Sequence, residues 1–136
     1  MAFGFKPSPT TTIMTENNTS SKVILHLPYP PSVNTYWGFN GSRRYLTKKA
    51  LDFKKLVWCE VILAGKPYFG KQFVKVSIRW HCPDKRLRDI DNPLKPLFDA
   101  LVQASVMEDD SQIRAMTVEY GNIKKGGETV IVIELF

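Results

Sequence analysis

Cysteine and histidine are both scarce in this 136-residue chain, with two of each. Cys59 and Cys82 lie far apart, there is no C-x-x-C pair, and only His26 and His81 could join them. A zinc centre is therefore not expected. The two cysteines read as reduced, buried thiols of a cytosolic protein. No apolar run approaches the ~20 residues that a membrane span needs, and the N-terminus lacks the apolar core of a signal peptide. The expectation is an intracellular protein without a membrane partner. Acidic residues are the minority: 13 Asp and Glu against 19 Lys and Arg, a net charge of +6. That balance makes a polyanion such as nucleic acid the first partner to consider, though a modest charge alone identifies none.

What is present points to one folded domain. The chain is 43% hydrophobic, and 136 residues can bury a core without staples. Residues 1–21, rich in Thr, Ser, Asn and Pro, read as a flexible tail before a domain over 22–136. Lys22–Leu27 alternates as a strand. "PYPPSVNTYWG" carries Pro28, Pro30 and Pro31 and reads as an ordered, aromatic-bearing loop. Thr47 caps a helix to Ala64, with Ala50, Phe53, Val57, Val61 and Ala64 as its buried stripe. Phe73–His81 is a strand whose Val74, Val76, Ile78 and Trp80 face one way, opposite Lys75, Ser77, Arg79 and His81.

Asn92 as cap and Pro93 as first residue open a second helix, with an apolar face of Leu94, Leu97, Phe98, Leu101 and Val102. "RAMTVEYG" and "ETVIVIELF" are strands, expected as a hairpin turning at Gly126 and Gly127. The order β-α-β-α-β-β predicts the α+β class: one mixed sheet covered by two helices.

The acidic residues are concentrated. Seven of the thirteen fall between Asp84 and Asp110. In an extended segment Asp89 and Asp91 point to the same side, their Cα atoms about 6.5–7 Å apart, while Ile90 turns into the core. Two carboxylates so placed suit a hard divalent cation, magnesium first. "EDD" at Glu108–Asp110 can supply a third ligand, but nothing local brings it back along the second helix. The plainer alternative is a solvated acidic loop paired with Arg86, Arg88 and Lys95. Lys48 and Lys49 stand at a helix N-terminus, either near a phosphate or simply solvated.

The whole run "RDIDNPLKPLFDALVQASVMEDDSQI" resembles the signature of the RusA-type Holliday junction resolvases. "LPYPPSVNTYW" resembles the N-terminal Pro-rich loop of that family, and "KKGG" with a closing strand resembles its C-terminal end. The likeness spans roughly residues 22–136. It implies Asp89, Asp91 and Asp110 as catalytic carboxylates that bind Mg2+, and Lys95 as a catalytic lysine. It also implies a homodimer that nicks two strands of a four-way DNA junction symmetrically, in recombination and repair.

Arg88 and Asn92 match positions beside the carboxylates. Arg86, Lys85, Lys48, Lys49 and Asn34 join them as candidate DNA contacts, as do Arg43 and Arg44. Asn34 could equally be a cap. Asp109 could be a spare ligand. Phe98 is in register with the core stripe, with wedging of a junction as the alternative. The rival functions are a nuclease for other branched or flap DNA and a junction-binding protein that does not cleave.

Overall fold

The computed structural model describes the backbone of residues 12–14 and the whole of residues 19–136. A five-stranded sheet is built from β1 (Thr12–Met14), β2 (Ser20–Leu27), β5 (Val74–His81), β6 (Ile113–Tyr120) and β7 (Glu128–Leu135). Its spatial order is β1-β2-β7-β5-β6, antiparallel except for the parallel pair β5–β6. Helices α2 (Lys48–Leu63) and α3 (Leu94–Gln103) share one apolar cluster with the buried face of that sheet. A short helix, α1 (Val33–Tyr36), leads into a separate two-stranded hairpin of β3 (Trp37–Asn40) and β4 (Arg43–Leu46). The architecture is the expected mixed sheet with helices, in the α+β class. None of the helices among the described residues is long and apolar enough to cross a membrane.

The alternation read in β5 is realised. Val74, Val76, Ile78 and Trp80 are buried, while Lys75, Ser77 and Arg79 are exposed. Each such aliphatic side chain contributes ~1.5–3 kcal/mol on burial. The Thr47 cap is also realised: its Oγ1 accepts a hydrogen bond from the Ala50 amide at 3.3 Å. Ala50, Phe53, Val57 and Val61 are buried beneath it.

Five expectations are corrected. First, β6 and β7 do not pair. β7 enters between β2 and β5, and β6 sits at the edge beyond β5. The reason is composition: β7 is apolar on both faces over Val130–Ile133, which suits a central strand, whereas Arg114, Thr117 and Glu119 of β6 face water. The connector passes the end of β5, where the amides of Gly121 and Lys124 donate to the carbonyls of Trp80 and Cys82. Gly126 and Gly127 make their turn there with positive φ.

Second, α3 begins at Leu94 with Pro93 as its cap residue, and the Asn92 side chain is used elsewhere. Pro96 then falls at the third helical position, where an amide has no intrahelical partner, so its missing N–H costs nothing. Third, Ile90 does not enter the core and is 39% exposed. Fourth, Cys59 is exposed; only Cys82 is buried. Fifth, the Asp89–Asp91 segment is not extended throughout, because residues 90–93 form a turn.

Most of the tail expected over residues 1–21 lies outside the described residues, but residues 12–14 pair with β2, which begins at Ser20.

Candidate active site

The segment between β5 and α3 is held by backbone rather than by buried side chains. Trp80, wholly buried, donates its indole N–H to the Ile90 carbonyl at 2.8 Å. The Tyr120 hydroxyl at the end of β6 donates to the Arg88 carbonyl at 2.7 Å. The amides of Asn92 and Leu94 donate to the carbonyls of Asp89 and Asp91, folding the turn into α3. The Asn92 side-chain oxygen accepts the Val33 amide at 3.0 Å, tying the Pro-rich segment to this turn. The carboxylate loop is thus pinned on three sides while Asp89, Ile90 and Asp91 stay at the surface.

Arg86, Arg88 and Lys95 are taken by other acids. Arg86 and Arg88 both turn back onto Asp84, with closest approaches of 3.1 and 2.8 Å. These bonds, with the Arg86 amide, hold the Asp84 carboxyl far below the usual carboxylate range. Arg88 also donates to the carbonyls of Asp84 and Arg86 and lies 5.8 Å from the Tyr29 ring. Lys95 pairs with Asp99, one helical turn on, at 2.9 Å. The Tyr36 hydroxyl donates to the other Asp99 oxygen at 3.1 Å.

The bond to Asp99 raises the Lys95 pKa, and Asp110 raises it further. Burial and then the Asp99 charge raise the Tyr36 phenol. After this sorting, the carboxylates of Asp89 and Asp91 accept no hydrogen bond and join no ion pair among the described residues. Their charge still reaches Tyr120, whose phenol is raised first by burial and then by Cys82, Asp89 and Asp91.

Asp110 opens a 3-10 turn over Asp110–Gln112, just before β6. Gln112 fixes that turn. Its side-chain oxygen accepts the amides of Glu108 and Asp109, and its amide group donates to the carbonyls of Gly70 and Gln72. Asp109 caps the same turn and accepts the Ser111 hydroxyl at 2.6 Å, so its carboxylate is engaged locally. Asp110 faces a cavity of about 260 Å³ with Lys95, Asp99 and Lys54.

The structure therefore lines one cavity with Asp110 and Lys95, and leaves Asp89 and Asp91 both exposed on the turn before α3. Among the described residues no three His, Cys, Asp or Glu side chains close on one point as a metal cage. The donor chemistry of Asp89 and Asp91 nevertheless fits a hard cation: both are oxygen ligands, exposed and unpaired. Magnesium characteristically takes one or two carboxylates and keeps several waters.

The other candidate residues are distributed around this site. Lys48, Lys49, Lys85 and Arg86 are exposed, and Lys48 makes only a loose 3.8 Å pair with Asp52. Asn34 is exposed on α1 and caps nothing among the described residues. Phe98 is 9% exposed and belongs to the core cluster. Sequence reasoning missed Asp84 and Tyr120, and it put Tyr36 with Asn34 in a loop that serves a site without foreseeing its partner. Asp84 had a local signal in its four-residue spacing to Arg88. Tyr36 meets Asp99 across 63 residues and Tyr120 meets Arg88 across 32, so neither had one.

Residues 28–135 match the family model described as endodeoxyribonuclease RusA. The crossover junction endodeoxyribonuclease of Enterobacteria phage HK97 is 38% identical over 107 residues, covering 79% of this chain and 89% of that protein. The proteins of the same description from Enterobacteria phage 82 and Escherichia coli strain K12 are each 34% identical over 108 residues, with the same coverage.

Proposed function

Because this chain belongs to the RusA endodeoxyribonuclease family, we propose that it is a magnesium-dependent, intracellular nuclease that resolves four-way DNA junctions by paired symmetric nicks during recombination and repair. The observation that carries the reading is the division of charge around α3. Asp84 and Asp99 hold Arg86, Arg88 and Lys95, and Asp89 and Asp91 join no ion pair among the described residues, at the surface of a basic protein. Two bare carboxylates repel DNA unless a cation lies between them and the phosphate.

Asp89 and Asp91 would hold the metal, with Asp110, which shares a cavity with Lys95, as a further carboxylate. Bound magnesium supplies a Lewis acid for the phosphoryl oxygen and a water of lowered pKa. Lys95 is cationic at neutral pH as an ordinary lysine is, and its bond to Asp99 favours that charged form further. Its ammonium would neutralise charge that develops on the phosphoryl group or the leaving oxygen. Asp99, itself anchored by Tyr36, fixes where that ammonium stands. Trp80 and Tyr120 hold the carboxylate loop by its carbonyls. Arg88 is engaged by Asp84 and by two carbonyls, which supports a role in shaping the loop. Lys48, Lys49, Lys85, Arg86, Asn34 and Asn92 form the surrounding DNA contacts, a largely electrostatic interaction that weakens with salt.

A second copy is needed for paired nicks. The outer face of α2 supports one, since Leu51, Trp58 and Ile62 stand exposed at helical spacing.

The test is cleavage of a synthetic four-way junction, mapped on both strands. Symmetric nicks that need magnesium support resolution. Cuts confined to flaps would favour a nuclease for other branched DNA, and binding without any cut would favour a passive junction binder. Asp91→Asn is expected to abolish cleavage while still binding the junction; cleavage at the wild-type rate would refute the metal assignment. Sedimentation of the wild-type protein as a monomer at working concentration would count against paired nicking.

A further inference from the structure

The β3–β4 hairpin contributes no residue to the core cluster. Among the described residues it pairs only with itself, apart from the five-stranded sheet, and a lone two-stranded ribbon is marginal in water. Its turn is Gly41–Ser42, with Gly41 at φ +65°. It carries Arg43 and Arg44 and no acidic residue. Register puts Phe39 opposite Arg44, and Trp37 lies on the same face. The Arg44 guanidinium stacks 3.9 Å from the centre of the Trp37 ring, which fixes that arginine beside Phe39. On the other face the Tyr45 ring lies across the bare backbone of Gly38. Phe39 itself is 69% exposed and belongs to no part of the core cluster.

The root of the hairpin, in contrast, is fixed to the catalytic wall. Val33, at the start of α1, donates to Asn92 beside the carboxylates. Tyr36, at its end, bonds Asp99, the partner of Lys95. Thr47 closes the root by donating to the Thr35 carbonyl at 2.6 Å. Four residues of strand reach about 13 Å from that wall, roughly four steps along a DNA strand.

We propose that this hairpin is a DNA arm that stacks Phe39 on bases unpaired at a branch point, with Arg43 and Arg44 on the flanking phosphates, and that it selects branched over linear DNA. The proposal rests on the nuclease reading above and adds to it a specificity residue outside the carboxylate site. An exposed aromatic beside an arginine on a ribbon, with a second arginine on the opposite face, is the chemistry of base stacking and of wedging between base steps. The reach lets the arm touch bases near the branch while the scissile phosphate lies at Asp89 and Asp91.

The experiment uses the full chain in chelator, bound to a four-way junction with 2-aminopurine at the branch, and to linear duplex of the same arms. Cleavage with magnesium is measured in parallel. Wild-type protein is expected to brighten the 2-aminopurine. Phe39→Ala should lose most of that signal and bind the junction roughly 5- to 150-fold more weakly, the range of one stacked base, with duplex affinity unchanged. Phe39→Trp should restore both. Phe39 is exposed, so both variants should keep the wild-type circular dichroism.

A Phe39→Ala variant with the wild-type signal and junction preference, beside a wild type that cleaves, overturns the arm alone. Loss of self-association with an unchanged signal would assign the hairpin to a second copy and also overturn it. A wild type that neither prefers nor cuts branched DNA refutes the nuclease reading instead.

Discussion

Trp80→Phe tests whether the carboxylate loop is positioned by a single indole hydrogen bond. Trp80 is fully buried on β5 and contacts the Tyr29 ring edge-on, with centroids 5.9 Å apart. Phenylalanine keeps an aromatic ring in that place but removes the N–H that meets the Ile90 carbonyl at 2.8 Å. The lost hydrogen bond is worth about 1 kcal/mol. It stands at the low end because Ile90 is at the surface, where water can satisfy its carbonyl. The missing part of the indole adds about 1–2 kcal/mol as residual cavity, well short of the 3–5 of full truncation.

The sum, about 2–3 kcal/mol, leaves a protein of ordinary stability folded. For a chain of this size it lowers Tm by roughly 6–12 °C. The effect on activity is expected to be larger than that suggests, because Asp89 and Asp91 flank the released carbonyl. A misplacement of about 1 Å can cost on the order of a hundredfold in rate. Junction cleavage at subsaturating magnesium should therefore fall at least tenfold at a temperature where the variant is fully folded, and rise again with excess magnesium. A variant with the expected Tm but wild-type cleavage and wild-type magnesium half-saturation would refute the claim that this bond places the carboxylates.

Two further outcomes follow from the same geometry. Asp84→Asn removes the anion that gathers Arg86 and Arg88, and its folded-state pKa is depressed. Its stabilisation is thus present above the ordinary carboxylate pKa and lost as pH falls through the lowered value. The Tm gap between wild type and variant should be present at pH 7 and close in strong acid; a gap independent of pH would show that the pairing contributes no charge-dependent stability. Gly127→Ala places a Cβ 2.7 Å from the Tyr29 Cβ at φ +74°, and should cost about 1–3 kcal/mol in denaturant unfolding. An unchanged midpoint would mean that the connector relaxes freely.

The parts of this molecule legible in the sequence are those whose physics is local. β5 and α2 announce themselves by periods of two and of three to four, because each buries one face against a single layer. Thr47 is legible as a cap because its partner amide is three residues away. The pairing of β7 was not legible, because a strand that is apolar on both faces fits a hairpin or a sheet centre equally well. Only the polar surface of β6 decides between them, by sending β6 to the edge. The same division runs through the candidate site. The Asp89–Asp91 pair and Lys95 show in a short motif, and even the Lys95–Asp99 pairing follows from helical spacing.

What keeps Asp89 and Asp91 unpaired does not show there. It depends on Asp84 drawing two arginines away, and on Trp80 and Tyr120 holding carbonyls rather than side chains. Backbone acceptors carry no residue identity, so no pattern of letters marks Ile90 or Arg88 as anchored. Asn92 makes the same point. Its letter favours a helix cap, but Pro93 takes that position, which frees the Asn92 side chain to accept the Val33 amide 59 residues away. One residue thereby joins the carboxylate turn to the root of the β3–β4 arm, so the spacing between the two is set by a hydrogen bond that only the folded chain can make.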